Sequence, residues 1–166
     1  KTLLWEGAKN LGGTYAVLAG DHLFSGTKEI GAFDAASGKK FADFTARTAL
    51  ASEDTLYLAS GRYTIYRHIL PAHDKYRKES VAQLVAVDRK DYKTVRWKIP
   101  SFPCHDSLIL AGDTLVAGGQ NMVVAVEASS GKKLWGLRVQ GRAKGLAVSD
   151  GRLLVSTDKG MIYCFS

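Results

Sequence analysis

Short apolar runs alternate with breaks rich in Gly, Asp and Ser along this chain, and the breaks recur at related spacings. The clearest unit is Val123 to Trp135, VVAVEASSGKKLW, which reads as a strand, a tight Ser-Gly turn and a second strand closed by a large aromatic. Aligned on their turns, four lines repeat it. They are YAVLAGDHLFSGTKEIGAFDAASGKK, ALASEDTLYLASGRYTIY with its continuation LVAVDRKDYKTVRW, SLILAGDTLVAGGQNMVVAVEASSGKKLW, and GLAVSDGRLLVSTDKGMIYCFS. Each line predicts an apolar strand, a short turn (Gly20-Asp21, Glu53-Asp54, Gly112-Asp113, Asp150-Gly151) and a second strand. A third strand then ends in a small residue, one apolar residue and usually an acid. Gly/Asp pairs between alternating apolar positions are strong hairpin signals.

Equivalent turn positions Asp21, Asp54, Asp113 and Gly151 lie 33, 59 and 38 residues apart. The long interval contains an insertion of roughly 20 residues, so the period is close to the ~40 residues of a four-stranded propeller blade. Outside His68 to Ser80 no window keeps apolar residues at helical spacing,. The prediction is an all-β chain: a β-propeller, or a segment of one, with about four four-stranded antiparallel blades in a single domain, 1–166. The blades are placed at 14–45, 47–99, 107–139, and 143–166 together with 2–6. The last line lacks a fourth strand, and Lys1 to Glu6 aligns with Lys132 to Gly136, a fourth strand lacking the rest. The last blade is therefore expected to be closed by Leu3 to Glu6 or by a partner.

Composition fits that picture. A chain of 166 residues, 46% hydrophobic, can bury a core of its own,. Seventeen Gly against three Pro suit short strands and tight turns,. No apolar run is long enough to span a membrane as a helix,. An opening KTLLWE, with neither initiator Met nor leader, is expected of a mature or excised piece of a longer protein,. Cys104 and Cys164 show no metal-ligand spacing, and two free thiols are expected,. Of the net charge of +7, +6 falls between Gly61 and Lys98.

The segments AFDAASGKK (Ala32 to Lys40), AVDRKDYKTVRW (Ala86 to Trp97) and AVEASSGKKLW (Ala125 to Trp135) resemble the tryptophan-docking repeat of quinoprotein dehydrogenases. They are also similar to the repeat of the wider PQQ-like β-propeller proteins, including the lipoprotein of the outer-membrane barrel-assembly machinery. The resemblance covers essentially the whole chain as four repeats. It implies a periplasmic or extracellular setting, a protein partner or the remainder of a parent chain, and structural docking by Trp5, Asp34, Gly38, Asp88, Trp97, Glu127, Gly131 and Trp135. Small Ala32, Ala86 and Ala125 permit close approach of neighbouring sheets. The acids can accept backbone N–H groups in the following turn, Gly38 and Gly131 can take positive φ, and each Trp can bury about 150–250 Å². Two departures stand out: Phe41-Ala42 replace Leu134-Trp135 in the first repeat, and Tyr92 replaces the turn Gly in the second.

Enzymatic readings find little support. In quinoproteins the cofactor lies beneath a disulfide of adjacent cysteines beside Ca²⁺, and Cys104 and Cys164 are not adjacent. Neither PQQ nor Ca²⁺ is expected, and no catalytic or metal residue is assigned. The two SGKK segments lack the Gly-x4-Gly-Lys-Ser/Thr spacing of a phosphate loop and read as β-turns,. Cys104-His105-Asp106 reads as a loop leading into a blade, since neighbours in an extended segment point to opposite faces. His22 reads as a surface turn residue.

Arg67 to Lys78, RHILPAHDKYRK, breaks the repeat. Its Arg67, His68, His73, Lys75, Tyr76, Arg77 and Lys78 are the candidate partner or anion contact, because insertions on a rigid scaffold commonly carry binding. The favoured function is a non-enzymatic protein-binding scaffold, with two copies able to complete an eight-bladed ring. The alternatives are part of a quinoprotein oxidoreductase and, more weakly, polyanion binding through 67–78. Nucleic acid is not expected as the partner.

Overall fold

The computed structural model describes residues 2–7, 16–26, 29–61 and 82–166. All its regular structure is antiparallel β, and no helix occurs among the described residues. β1 (Ala16–Ala19), β2 (His22–Gly26), β3 (Ile30–Asp34) and β4 (Lys40–Phe44) form the first sheet in sequence order. β5 (Thr48–Ala51), β6 (Thr55–Ser60), β7 (Gln83–Asp88) and β8 (Val95–Pro100) form the second. The third sheet joins β9 (Ser107–Ala111), β10 (Thr114–Glu127), β11 (Lys133–Ser149), β12 (Arg152–Thr157) and β13 (Ile162–Phe165).

That third sheet holds two blades. The Ala128 N–H donates to the Asp113 carbonyl at 2.8 Å, as Ala35 does to Asp21, so β10 folds back on itself and supplies two strands. β11 serves twice: Lys133 to Arg138 pairs with the end of β10, and Gly145 to Ser149 pairs with β12. Gly141, at φ 90°, lies between these halves. Among the described residues the third blade thus has four strands, and the fourth has three.

Two-residue loops connect the inner hairpins at Gly20-Asp21, Gly112-Asp113 and Asp150-Gly151. Gly20 and Gly112 take φ 57° and 58°, and Asp150 and Gly151 take 50° and 73°, the positive φ that twisted hairpins demand,. In the second blade the pairing of Ala51 with Leu56 leaves a four-residue loop, 52–55, closed by the Ser52 N–H on the Thr55 carbonyl at 2.8 Å.

Because alternate residues face opposite sides of a strand, each inner blade buries both faces. Phe24, Ile30 and Ala32 of the first blade pack on Ala49, Leu56 and Leu58 of the second. Tyr57, Leu84 and Ala86 of the second pack on Leu108, Leu115 and Val124 of the third. Val116, Val123 and Ala125 of the third pack on Leu153 and Val155 of the fourth. Ala32, Ala86 and Ala125 are all 0% exposed, where a larger side chain would hold the sheets apart. A fully buried Leu such as Leu56 or Leu84 contributes about 1.5–3 kcal/mol,. The innermost strands also touch in succession, β1 with β5, β5 with β9 and β9 with β11.

Closure of the last blade by Leu3 to Glu6 does not occur within this chain. Residues 2–7 form no strand, and among the described residues β13 pairs only with β12. The physical reason is that Trp5 anchors this segment on the first blade, and no hydrophobic cluster joins the first blade to the fourth among the described residues.

Candidate functional site: blade boundaries, an open end face and an axial ion cluster

The turn after each third strand is built by its acid. Asp34 accepts the Ser37 N–H at 2.7 Å and the Ser37 hydroxyl, and these bonds hold its carboxyl below the usual range. Asp88 accepts the Lys90 N–H at 2.7 Å, and Arg96 bridges Asp88 and Asp54 at 2.8 and 2.7 Å. The Arg96 hydrogen bonds are the leading cause of the lowered Asp54 and Asp88 pKa values. Glu127 behaves differently: its longer side chain accepts the Ser130 hydroxyl, which in turn accepts the Lys132 N–H at 3.1 Å.

Aromatic rings from the chain segment before each turn's blade lie on these turns: Trp5 from the N-terminal stretch and Trp97 from the second blade. Trp5 Nε1 donates to the Ala35 carbonyl at 2.9 Å, and Trp97 Nε1 donates to the Ala128 carbonyl at 2.9 Å. The turn glycines beneath, Gly38 (φ 70°) and Gly131 (φ 72°), leave no room for a side chain. A Cβ there would come within 2.6 Å of the Trp5 ring and 2.7 Å of the Trp97 ring. Trp135 stands in the same register as Trp97, opposite Ala125 as Trp97 is opposite Ala86, yet it is 37% exposed.

The first-to-second boundary is different. Ala42 holds the tryptophan register opposite Ala32, and Tyr92 rises from the turn below at φ 57°. Its ring lies 5.6 Å from Phe41, 5.8 Å from Phe44, 6.1 Å from Phe24 and 5.7 Å from His22. His22 Nδ1 shares a hydrogen bond with the Tyr92 hydroxyl, so this residue belongs to an aromatic cluster rather than to a free turn tip. Arg89 ties the same blades, donating to the Ser52, Glu53 and Ala19 carbonyls.

At the far end, the outward face of the fourth blade is open. Leu154 pairs with Cys164 as Phe24 pairs with Ala32. Phe24 and Ala32 are 1% and 0% exposed, whereas Leu154 is 42% and Ile162 76% exposed. Cys164 is exposed and free, while Cys104 is buried between the second and third blades, where burial raises its thiol pKa to about 12.

One cluster escaped the sequence reading. Arg47, Asp106 and Arg142 immediately precede Thr48, Ser107 and Ala143, at the starts of three successive innermost strands. Arg142 Nη1 lies 3.1 and 3.3 Å from the two Asp106 oxygens, Lys144 Nζ lies 3.3 Å from Oδ1, and Arg47 Nη2 lies 4.0 Å from Oδ1. The shared column of the repeat alignment was the available signal. The neighbouring His105 has a buried Nδ1 without a hydrogen-bond partner, and burial lowers its pKa. Thr48 fixes the loop by donating to the His105 carbonyl at 2.9 Å.

Arg67, His68, His73, Lys75, Tyr76, Arg77 and Lys78 lie outside the described residues. Among the described residues, no group of three or more His, Cys, Asp or Glu is placed to hold a metal. No helix there is long and apolar enough to cross a membrane, which leaves β-barrel spans unaddressed.

Comparison with known proteins places this architecture. No curated protein matches the sequence. The crystal structure of BamB from Moraxella catarrhalis superposes with a TM-score of 0.63 at 14% identity, covering 92% of this chain and 42% of that one. The chain therefore spans less than half the length of that relative. The computationally designed Ika4 protein superposes with a TM-score of 0.69 at 12% identity, covering 99% of this chain and 98% of that one. Both likenesses concern the fold. The sequence family of the outer membrane protein assembly factor BamB matches residues 82–166, just over half of the chain, and this protein belongs to that PQQ-like β-propeller family.

Proposed function

We propose that the chain is a non-enzymatic, protein-binding propeller segment that works outside the cytoplasm, in the setting that the name of its family suggests. The observation that carries the reading is the open face of the fourth blade. Leu154, Ile162 and Cys164 continue the pattern that Phe24 and Ala32 bury at an internal boundary. Trp135 stands in the docking register with its ring 37% exposed. A face of this chemistry is complementary to another blade, and the β13 edge can accept an added strand.

The partner is a blade of the parent protein or of a second copy; two four-blade rows joined end to end make eight blades. No quinone or Ca²⁺ enters this reading. Light scattering over a range of concentrations, combined with alkylation of Cys164, tests it. The expected result is a species of twice 18.0 kDa in which Cys164 is protected. Persistent monomer, with Cys164 labelled as fast as an unhindered thiol, would count against the second-copy form of the proposal.

A further inference from the structure

Trp97 belongs to β8, the fourth strand of the second blade, where it stands opposite Ala86 and reaches onto the turn of the third blade. Trp5 sits on the first blade in the same way: its indole donates to the equivalent carbonyl, and its ring covers the equivalent turn glycine. Residues 3–6 therefore occupy the place of a fourth strand from a blade ahead of the first, yet residues 2–7 form no strand. Leu3 and Leu4 are 76% and 77% exposed. The fourth blade shows the converse, with three strands and, among the described residues, a β13 edge without a neighbour.

The two end faces match each other as well. Leu18 stands two residues before Gly20 as Leu110 stands two before Gly112. Leu110 packs on the cluster between the second and third blades, whereas Leu18 is 66% exposed. On the fourth blade Leu154 and Ile162 lie open where Phe24 and Ile30 are buried on the first. One end of the row lacks a preceding blade and the other lacks a following one. Each copy of the chain carries both ends, so two copies set head to tail satisfy both and close as a symmetric pair.

The three internal blades fix the register. In each, the tryptophan position pairs with the small residue of the third strand: Ala42 with Ala32, Trp97 with Ala86, Trp135 with Ala125. One residue is then skipped, and Lys40 pairs with Phe33, Val95 with Val87, and Lys133 with Val126. In the other direction Phe44 pairs with Ile30, Ile99 with Leu84, and Leu137 with Val123. Cys164 holds the place of Ala32. We propose that Leu3 to Gly7 of a second copy add to β13 as its missing fourth strand, with Leu3 opposite Phe165, Trp5 opposite Cys164, Glu6 opposite Tyr163 and Gly7 opposite Ile162. Main-chain hydrogen bonds along the open edge supply affinity, and alternate side chains set the register. Trp5, already held on its own first blade, presents the strand in place and lowers the ordering cost,. The inference rests on the end-face reading above, but the two fail separately: mass and Cys164 labelling report association, whereas a cross-link at named positions reports the strand.

The test mixes two whole-chain variants in a Cys164→Ser background, one carrying Gly7→Cys and the other Ile162→Cys. Opposed residues on paired strands have Cβ atoms about 4.5–5.5 Å apart, close to the span that a disulfide bridges. Mild oxidation of the mixture should give a reducible species of twice 18.0 kDa, while each variant oxidised alone stays at 18.0 kDa. Thr2→Cys in place of Gly7→Cys moves the thiol five residues along the strand, roughly 17 Å, and should not cross-link. Trp5→Ala should weaken the association about tenfold or more in light scattering. Four results overturn the proposal. They are a dimer with Cys164 protected but no 7–162 disulfide, which leaves end-face association standing; equal cross-linking through Thr2→Cys; a disulfide inside one chain when both cysteines are placed on it; or monomer at every concentration.

Discussion

The boundary between the second and third blades and the boundary between the first and second both place an aromatic ring over the turn, but from opposite sides. In one, Trp97 descends from the preceding blade onto Gly131. In the other, the preceding blade has Ala42 in the tryptophan register, and Tyr92 rises from the turn to occupy the space beside Phe41 and Phe44. The hydrogen bond changes hands as well: the Trp97 indole donates to a carbonyl, whereas the Tyr92 hydroxyl bonds to His22. Two departures that look independent in sequence are one compensated exchange. What a blade boundary requires is a filled volume with its polar atom satisfied, not a tryptophan at a fixed position.

The largest expected effect comes from removing a ring that has a seat. Trp97→Ala should destabilise the chain by about 3 kcal/mol, the low end for a buried aromatic because this ring is partly exposed. Trp135→Ala, measured at concentrations where the chain is monomeric, should cost below about 1 kcal/mol. Denaturant unfolding of the two variants gives the contrast directly. Equal losses would break the distinction between a docked and an open boundary.

A smaller effect sharpens the exchange itself. Tyr92→Gly empties the space beneath Phe41, and Ala42→Trp alone overfills it. Together they recreate the arrangement of Trp97 and Gly131. The double variant should therefore be more stable than the sum of the two losses predicts, by about 1 kcal/mol or more. Strict additivity in a double-mutant cycle would show that the two sites do not share one volume.

The smallest effect is a pH dependence confined to the second-to-third boundary. Burial lowers the pKa of His105 from its ordinary 6.5. Its contribution is fully present above 6.5 and is lost as pH falls through the lowered folded value, because the unfolded chain takes up the proton first,. Wild type should lose stability in that window relative to His105→Gln. A constant difference between their melting temperatures across the window would remove His105 as the cause.

Much of this fold was legible in the chain because its signals are local. Turn pairs such as Gly112-Asp113, and short apolar runs such as Leu108 to Leu110, specify hairpins through near neighbours alone,. The repeat then fixed where strands end and which positions must be small, as at Ala32, Ala86 and Ala125. Three matters needed the tertiary structure, since each depends on residues distant in sequence. Tyr92 compensates Ala42 from 50 positions away. Trp5 binds the first blade instead of closing the last. Asp106 gathers Arg47, Arg142 and Lys144 only because three innermost strands start side by side. Local pattern determines hairpins and blades; packing between blades decides which ring fills a boundary, which face stays open, and where separated charges meet.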